Sequence, residues 1–257
     1  MAKVRALILR APGANCDVEG EFAFNKAGAV AERVHINRLR ENPRLLDDFQ
    51  ILMIPGGFTY GDDVAAGRIL ANELGIFLSD SLHRFRAAEK LILGVCNGFQ
   101  ALLKAGLLIP PDEEGPLATL TNNTSGRLED RWIYLKTDPG KCPFLAGYER
   151  LFLPIAHGEG RFICRASWIL KGLEQAGQIV LRYVDADGKP GGFPINPNGS
   201  EGDVAGICDA SGRVLGLMPH PERHVLPEQH PAWTRLGLTD EGEGLRLFRN
   251  AVQYFEE

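Results

Sequence analysis

The stretch Leu91-Ile92-Leu93-Gly94-Val95-Cys96-Asn97-Gly98-Phe99-Gln100 decides how this sequence folds. Leu91 to Val95 is a continuous apolar run, the pattern of a parallel strand buried on both faces. Phe99 to Lys104 reads as a helix, with Gly106 placed to cap its end. Between them lies G-x-C-x-G, with small residues two before and two after a cysteine. That spacing permits a sharp strand-to-helix turn that lifts Cys96 above the sheet. The following helix offers its first N–H groups, which lower a thiol pKa and stabilise negative charge. Cys96 is the candidate nucleophile.

Outward from this turn, short apolar runs alternate with helix-like stretches. Strands are expected at Val4 to Leu9, Ala31 to Ile36 and Gln50 to Pro55, the last stopping at Gly56-Gly57. Helices are expected at Glu19 to Ala27 and Leu74 to Lys90. The second half is richer in strands: Trp132 to Lys136, Leu151 to Ala156, Gln178 to Val184, Val204 to Cys208 and Val214 to Met218. A last helix, Glu243 to Phe255, carries Leu245, Phe248, Val252 and Phe255 on one face. A βαβα opening followed by strands predicts a three-layer α/β fold with an open, mainly parallel sheet. No repeat or long polar linker interrupts the chain, so one domain over residues 1–257 is expected.

Composition narrows the function. The 257 residues are 44% hydrophobic and 24% charged, the balance of an ordinary globular protein. Lys plus Arg number 28 against 33 acidic residues, a net charge of -5 with no basic cluster. That argues against nucleic-acid or anionic-membrane partners. Met1 to Leu9 runs straight into a strand and lacks a signal peptide's apolar core, so a cytoplasmic location is expected. Five cysteines at irregular spacing form no disulfide framework and no CxxC pair. Cys16, Cys142, Cys164 and Cys208 lack the context of Cys96 and are read as packing residues.

A nucleophilic thiol needs a base. Of six histidines, His220 follows the short apolar run Val214 to Met218, in Gly216-Leu-Met-Pro-His-Pro-Glu-Arg223. Pro221 biases His220 towards an extended conformation, which puts His220 and Glu222 on the same side of the chain. A carboxylate there fixes the imidazole tautomer and supports the imidazolium. Cys96, His220 and Glu222 thus form a candidate triad. His220, His224 and His230 fit no metal-binding pattern, because Pro221, Pro227 and Pro231 break any shared helix face. For the oxyanion, the N–H of Asn97 and the loop Pro55-Gly-Gly-Phe58 are the candidate donors, since parallel sheets gather sites at strand carboxyl ends.

With these residues in view, the chain resembles the class I, triad-type glutamine amidotransferases, whose fold is flavodoxin-like. Within them it is similar to the glutaminase subunits of phosphoribosylformylglycinamidine synthase. The resemblance runs through Ala11-Pro-Gly-Ala-Asn-Cys-Asp17, Val34-His-Ile-Asn37, Ile54-Pro-Gly-Gly-Phe58 and Gly61-Asp62. It continues through Gly94 to Leu102, Asn123-Thr-Ser-Gly-Arg127 and Pro154-Ile-Ala-His-Gly-Glu-Gly-Arg-Phe162. Asn196-Pro-Asn-Gly-Ser200 and Gly216 to Arg223 complete it. Leu128 departs from the aromatic more usual in that family, and Leu226 to Gly244 reads as a lengthened, partner-facing elaboration.

The resemblance implies that Cys96 attacks the side-chain amide of glutamine, with His220 moving the proton and Glu222 orienting it. It implies oxyanion donors at Gly57, Phe58 and Asn97, and substrate contacts from Gln100, Asn123 and Ser125. His157, Glu159 and Arg161 are implied at a partner interface or ammonia exit. The resemblance further implies that ammonia passes to a separate synthetase chain, with a small bridging subunit as a further partner. That chain uses ATP and magnesium to convert formylglycinamide ribonucleotide in purine biosynthesis. This chain has no GxxxxGK[ST] loop, and no cofactor or metal is expected in it. Two other readings stay open: a freestanding cysteine hydrolase, and a regulatory subunit without activity.

Overall fold

In the computed structural model, residues 3–62 and 64–256 are described; Met1 and Ala2, where the N-terminal reading begins, lie outside them. Eleven strands are present among these residues: β1 (Arg5–Arg10), β2 (Val30–His35), β3 (Ile51–Ile54), β4 (Leu91–Val95), β5 (Ala118–Thr121), β6 (Glu129–Thr137), β7 (Arg150–His157), β8 (Arg161–Cys164), β9 (Ile179–Val184), β10 (Val204–Cys208) and β11 (Val214–Leu217). The helices are α1 (Asp17–Lys26), α2 (Ile36–Glu41), α3 (Arg68–Phe77), α4 (Ser79–Ala87), α5 (Asn97–Lys104), α6 (Ser167–Gln175), α7 (Trp233–Leu236) and α8 (Leu245–Gln253). No helix among the described residues is long and apolar enough to cross a membrane.

Nine strands form one sheet in the order β2-β1-β3-β4-β11-β10-β9-β6-β7. The first five are mutually parallel. In chain order they read 2-1-3-4-5, the flavodoxin-like arrangement. The remaining four follow beyond β11, each antiparallel to its neighbour. β4 lies between β3 and β11 with all five residues buried, as its unbroken apolar sequence requires. From β1 the chain crosses to one side of the sheet, and from β3 to the other. Right-handed crossovers therefore place α1 and the α3–α4 pair on opposite faces. Phe24 of α1 meets Phe248 of α8 edge-to-face, with ring centroids 4.9 Å apart, in one layer.

The single helix expected over Leu74 to Lys90 is two. Leu78, at φ -115° and ψ 3°, ends α3, and α4 starts at Ser79. Leu78 is itself buried, and the bend lets Leu74, Leu82 and Phe85 all reach the core. Five further elements escaped the sequence reading: α2, α6, α7 and the two-strand ribbon β5–β8. The segment 226–244 does not simply project outward. His230 stacks near Trp132 and Phe152, with centroids 5.4 Å away in each case, and Glu243 accepts the Phe152 N–H at 2.7 Å. It packs on the aromatic side of β6 and β7, the latter an edge strand.

Candidate active site

The turn at Cys96 is built by close approach. An added Cβ at Gly98 would lie 1.9 Å from the Ile54 carbonyl oxygen, and one at Gly94 would lie 2.4 Å from Leu102. Both glycines let α5 descend onto β3 and β4. Cys96 itself has φ 51° and ψ -106°, a backbone conformation that β-substituted residues rarely adopt. Such strain persists only where the surroundings impose it, and it is the mark of a nucleophile turn. α5 begins at the next residue.

Four strand ends converge here. β1 leads to Cys16, β3 to Gly56-Gly57, β4 to Cys96 and β11 to His220. The β1 and β3 loops diverge at the topological switch and are laced together across it. The Asn15 and Cys16 N–H groups donate to Gly56 O at 3.3 Å, and Phe58 N–H donates to Gly13 O at 2.9 Å. Gly57 has φ +142° and would place a Cβ 2.6 Å from Gly13 O, so only glycine fits. Phe58 N–H is held by Gly13 and is not available to an oxyanion, whereas Gly57 N–H has no partner among the described residues.

His220 is 2% exposed, anchored by its N–H to Pro154 O at 2.9 Å, and its Nδ1 lies 2.6 Å from Glu222 Oε1. Burial opposes charge on the ring. The Glu222 carboxylate, together with hydrogen bonds to Cys16, Cys96 and Glu222, outweighs it and holds the imidazole pKa well above its ordinary value. An added Cβ at Gly56 would lie 2.8 Å from His220 Cε1, 3.1 Å from Cys16 Sγ and 3.4 Å from Cys96 Cβ. Gly56 is the gap that lets the three side chains meet.

Cys16 is therefore not a remote packing residue. Its sulfur accepts from Arg223 Nη2 at 3.1 Å and lies 3.9 Å from His220 Nδ1. Burial pushes its thiol pKa up. Its position at the carboxyl end of β1 is the signal that could have marked it. Cys16, His220 and Glu222 have ligand-type atoms within 4.8 Å of one another. Two ligands of a tetrahedral zinc ion stand about 3.3 Å apart, whereas His220 and Glu222 are at hydrogen-bond distance, so the group is arranged for proton handling.

A cavity of about 520 Å³ opens beside Cys96. Its lining includes Gly57, Phe58, Gln100, His157, Glu159 and His220. Asn97 is fully buried: its Oδ1 accepts from Thr59 N–H at 3.3 Å and its Nδ2 donates to Gln100 Oε1 at 2.9 Å. The 122–128 turn lines the cavity through Asn122, Gly126, Arg127 and Leu128. Asn123 instead turns into the protein, and Ser125 is exposed with its hydroxyl 3.3 Å from the Arg127 N–H that it accepts. Arg161 points away, donating to Gly199 O at 3.2 Å.

The two narrow motif segments fasten each other. Asn198 Nδ2 donates to Gly160 O at 2.8 Å, and Phe162 N–H donates to Ser200 Oγ at 3.0 Å. Asn123 Nδ2 donates to the carbonyls of Arg127 and His157, at 2.8 and 2.7 Å, so its Oδ1 must face the other way. There it accepts the Gly160 N–H at 3.2 Å and lies 3.1 Å from His157 Nδ1. His157 consequently carries its proton on Nδ1 and leaves Nε2 a buried acceptor with no partner among the described residues. Burial, aided by the nearby His220 charge, lowers its pKa to about 3. The ring is neutral.

Comparisons with known proteins give the chain its family. The pattern of the CobB/CobQ-like glutamine amidotransferase domain matches residues 3–255, which puts the chain in the class of glutamine amidotransferases. A phosphoribosylformylglycinamidine synthase subunit PurQ from Dehalococcoides mccartyi is 50% identical over 256 residues, covering 99% of this chain and 98% of the relative. One from Methanococcus maripaludis is 40% identical over 267 residues, covering 98% of each. The PurLQS structure from Thermotoga maritima contains a chain that superposes with a TM-score of 0.74, at 29% identity and full coverage of both. The chain belongs to this family, the PurQ subunits of phosphoribosylformylglycinamidine synthase.

Proposed function

We propose that Cys96, His220 and Glu222 carry the glutaminase reaction by which this family's synthase obtains ammonia for purine biosynthesis. The observation that supports it most is the convergence of a strained Cys96, a charged, buried His220 and the Glu222 carboxylate beside one cavity. With His220 protonated and paired to Glu222, Cys96 attacks glutamine Cδ as a thiolate. The N–H groups of Gly57 and Asn97 receive the developing oxyanion. His220 gives its proton to the leaving amide nitrogen, the C–N bond breaks, and a γ-glutamyl thioester and ammonia result. Water, deprotonated by His220, then cleaves the thioester to glutamate and restores the thiol.

Gln100 supports the substrate wall: it bonds Asn97, and its Nε2 donates to Glu159 O. Ammonia passes from the cavity to the synthetase subunit PurL, with the small subunit PurS completing the complex. The chain itself holds no cofactor; ATP and magnesium act on the partner. It works as one unit over residues 1–257, in the cytoplasm.

Glutamate release is the test, measured for the chain alone and with synthetase, small subunit, ATP, magnesium and formylglycinamide ribonucleotide. Strong activation by the full mixture is expected. Equal rates in both conditions would mean a freestanding hydrolase.

A further inference from the structure

The glutaminase steps make no use of Cys16, yet Cys16 and Cys96 are the two cysteines in the lining of the active-site cavity. They stand on either side of the gap that Gly56 leaves. The point where a Gly56 Cβ would sit is 3.1 Å from Cys16 Sγ and 3.4 Å from Cys96 Cβ, so these two atoms are at most about 6.5 Å apart. A disulfide sets its Cβ atoms about 3.8 Å apart, and turning the Cys96 side chain into the gap covers a difference of that order. Both backbones are anchored: the Cys16 N–H donates to Gly56 O at 3.3 Å, and the Cys96 N–H donates to Leu217 O at 2.8 Å.

The two sulfurs have unlike surroundings. Cys96, in the glutaminase reading, is a thiolate paired with a protonated His220. A thiolate open to a cavity is the form that peroxide oxidises. Cys16 is 1% exposed, and burial keeps it a thiol. Its sulfur lies 3.9 Å from His220 Nδ1, and within 4.8 Å of the His220 and Glu222 groups that can take its proton. Arg223 Nη2 donates to the same sulfur at 3.1 Å and stabilises it once that proton has left.

We propose that Cys16 is a resolving thiol: hydrogen peroxide oxidises Cys96 to a sulfenic acid, and Cys16 converts this to a Cys16–Cys96 disulfide that a dithiol reverses. In the first step the Cys96 sulfur attacks one peroxide oxygen and the O–O bond breaks. The departing hydroxide takes the His220 proton and leaves as water. Cys16 then gives its proton to the His220–Glu222 pair and attacks the Cys96 sulfur. The S–O bond breaks as the S–S bond forms, and the second hydroxide leaves as water with that proton. Two electrons pass from the two thiols to the peroxide. While it lasts, the disulfide blocks attack on glutamine, and it keeps Cys96 from the irreversible sulfinic acid.

The experiment exposes the complex with the synthetase and small subunits to hydrogen peroxide, then to dithiothreitol. Glutamate release is read against the untreated sample of the same variant, and unreduced peptide mass mapping reads the sulfurs directly. The unmutated complex should lose activity, yield a linked Cys16–Cys96 peptide pair, and recover about nine-tenths of its rate on reduction. Cys16→Ser and Cys16→Ala should be inactivated too but recover less than about a tenth, with two oxygens added at Cys96. Oxygens on Cys96 of the unmutated chain without any linked pair would overturn the proposal, and so would full recovery in the Cys16 variants. The Cys96 thiolate is taken from the glutaminase reading, but the linked pair is read by mass and needs no turnover. An untreated complex that releases no glutamate would therefore defeat that reading separately.

Discussion

At the scale of single residues, the site depends on what is missing as much as on what is present. Gly56 has no side chain to keep His220, Cys16 and Cys96 apart. Gly56→Ala puts a methyl carbon 2.8 Å from His220 Cε1. Glutaminase activity in the complex should fall by about a hundredfold, since such displacements are of that cost. Chemical denaturation should show a loss of only about 1–3 kcal/mol. His157 makes a prediction about pH. Its proton is held near pH 6.5 in the unfolded chain but only near about 3 in the folded one. Between those values the unfolded state binds more protons, so stability rises with pH across the window and is complete above it. His157→Gln should flatten that slope by up to about 1.4 kcal/mol per pH unit, measured by urea unfolding at several pH values. An unchanged slope would mean that the ring titrates normally.

At the scale of elements, two loops carry the wall opposite Cys96 by fastening each other. Asn198 is fully buried, donating to Gly160 O at 2.8 Å and Tyr183 Oη at 3.2 Å and accepting the Ser200 N–H at 3.0 Å. Asn198→Ala leaves those groups unsatisfied and should cost about 2–3 kcal/mol in unfolding free energy, with activity reduced alongside. Locally encoded elements were legible in the sequence. β4, the Cys96 turn and the His220-Pro-Glu222 step are contiguous and follow from apolar runs, glycine spacing and a proline. The break at Leu78 was not, because the apolar pattern continues through it and tertiary packing decides the bend. Cys16 was missed since its role comes from lying across a loop crossing from His220, 204 positions away. Asn123 and Asn122 are adjacent in sequence, and only the bridging hydrogen bonds of Asn123 show which of them faces the cavity.

At the scale of the whole molecule, the parallel half of the sheet carries the groups proposed to react and the antiparallel half carries the wall beside them. Cys16, Gly57, Cys96 and His220 leave the carboxyl ends of β1, β3, β4 and β11, while His157 ends β7. His220 N–H bonds Pro154 of β7 and joins the two halves at the site. Phe58 and Leu128, both lining the cavity, are 48% and 55% exposed, an apolar rim suited to a partner covering the cavity mouth. Such a cover would keep ammonia from bulk water. The proposed division of labour has this chain make ammonia at Cys96 and the synthetase use it. The most direct measurement is formylglycinamidine ribonucleotide synthesis by the complex carrying Cys96→Ala, with glutamine and with ammonium chloride as alternative nitrogen sources. Glutamine-dependent synthesis should disappear while ammonia-dependent synthesis stays at the unmutated rate. Equal loss of both, or retention of glutamine use, would contradict it.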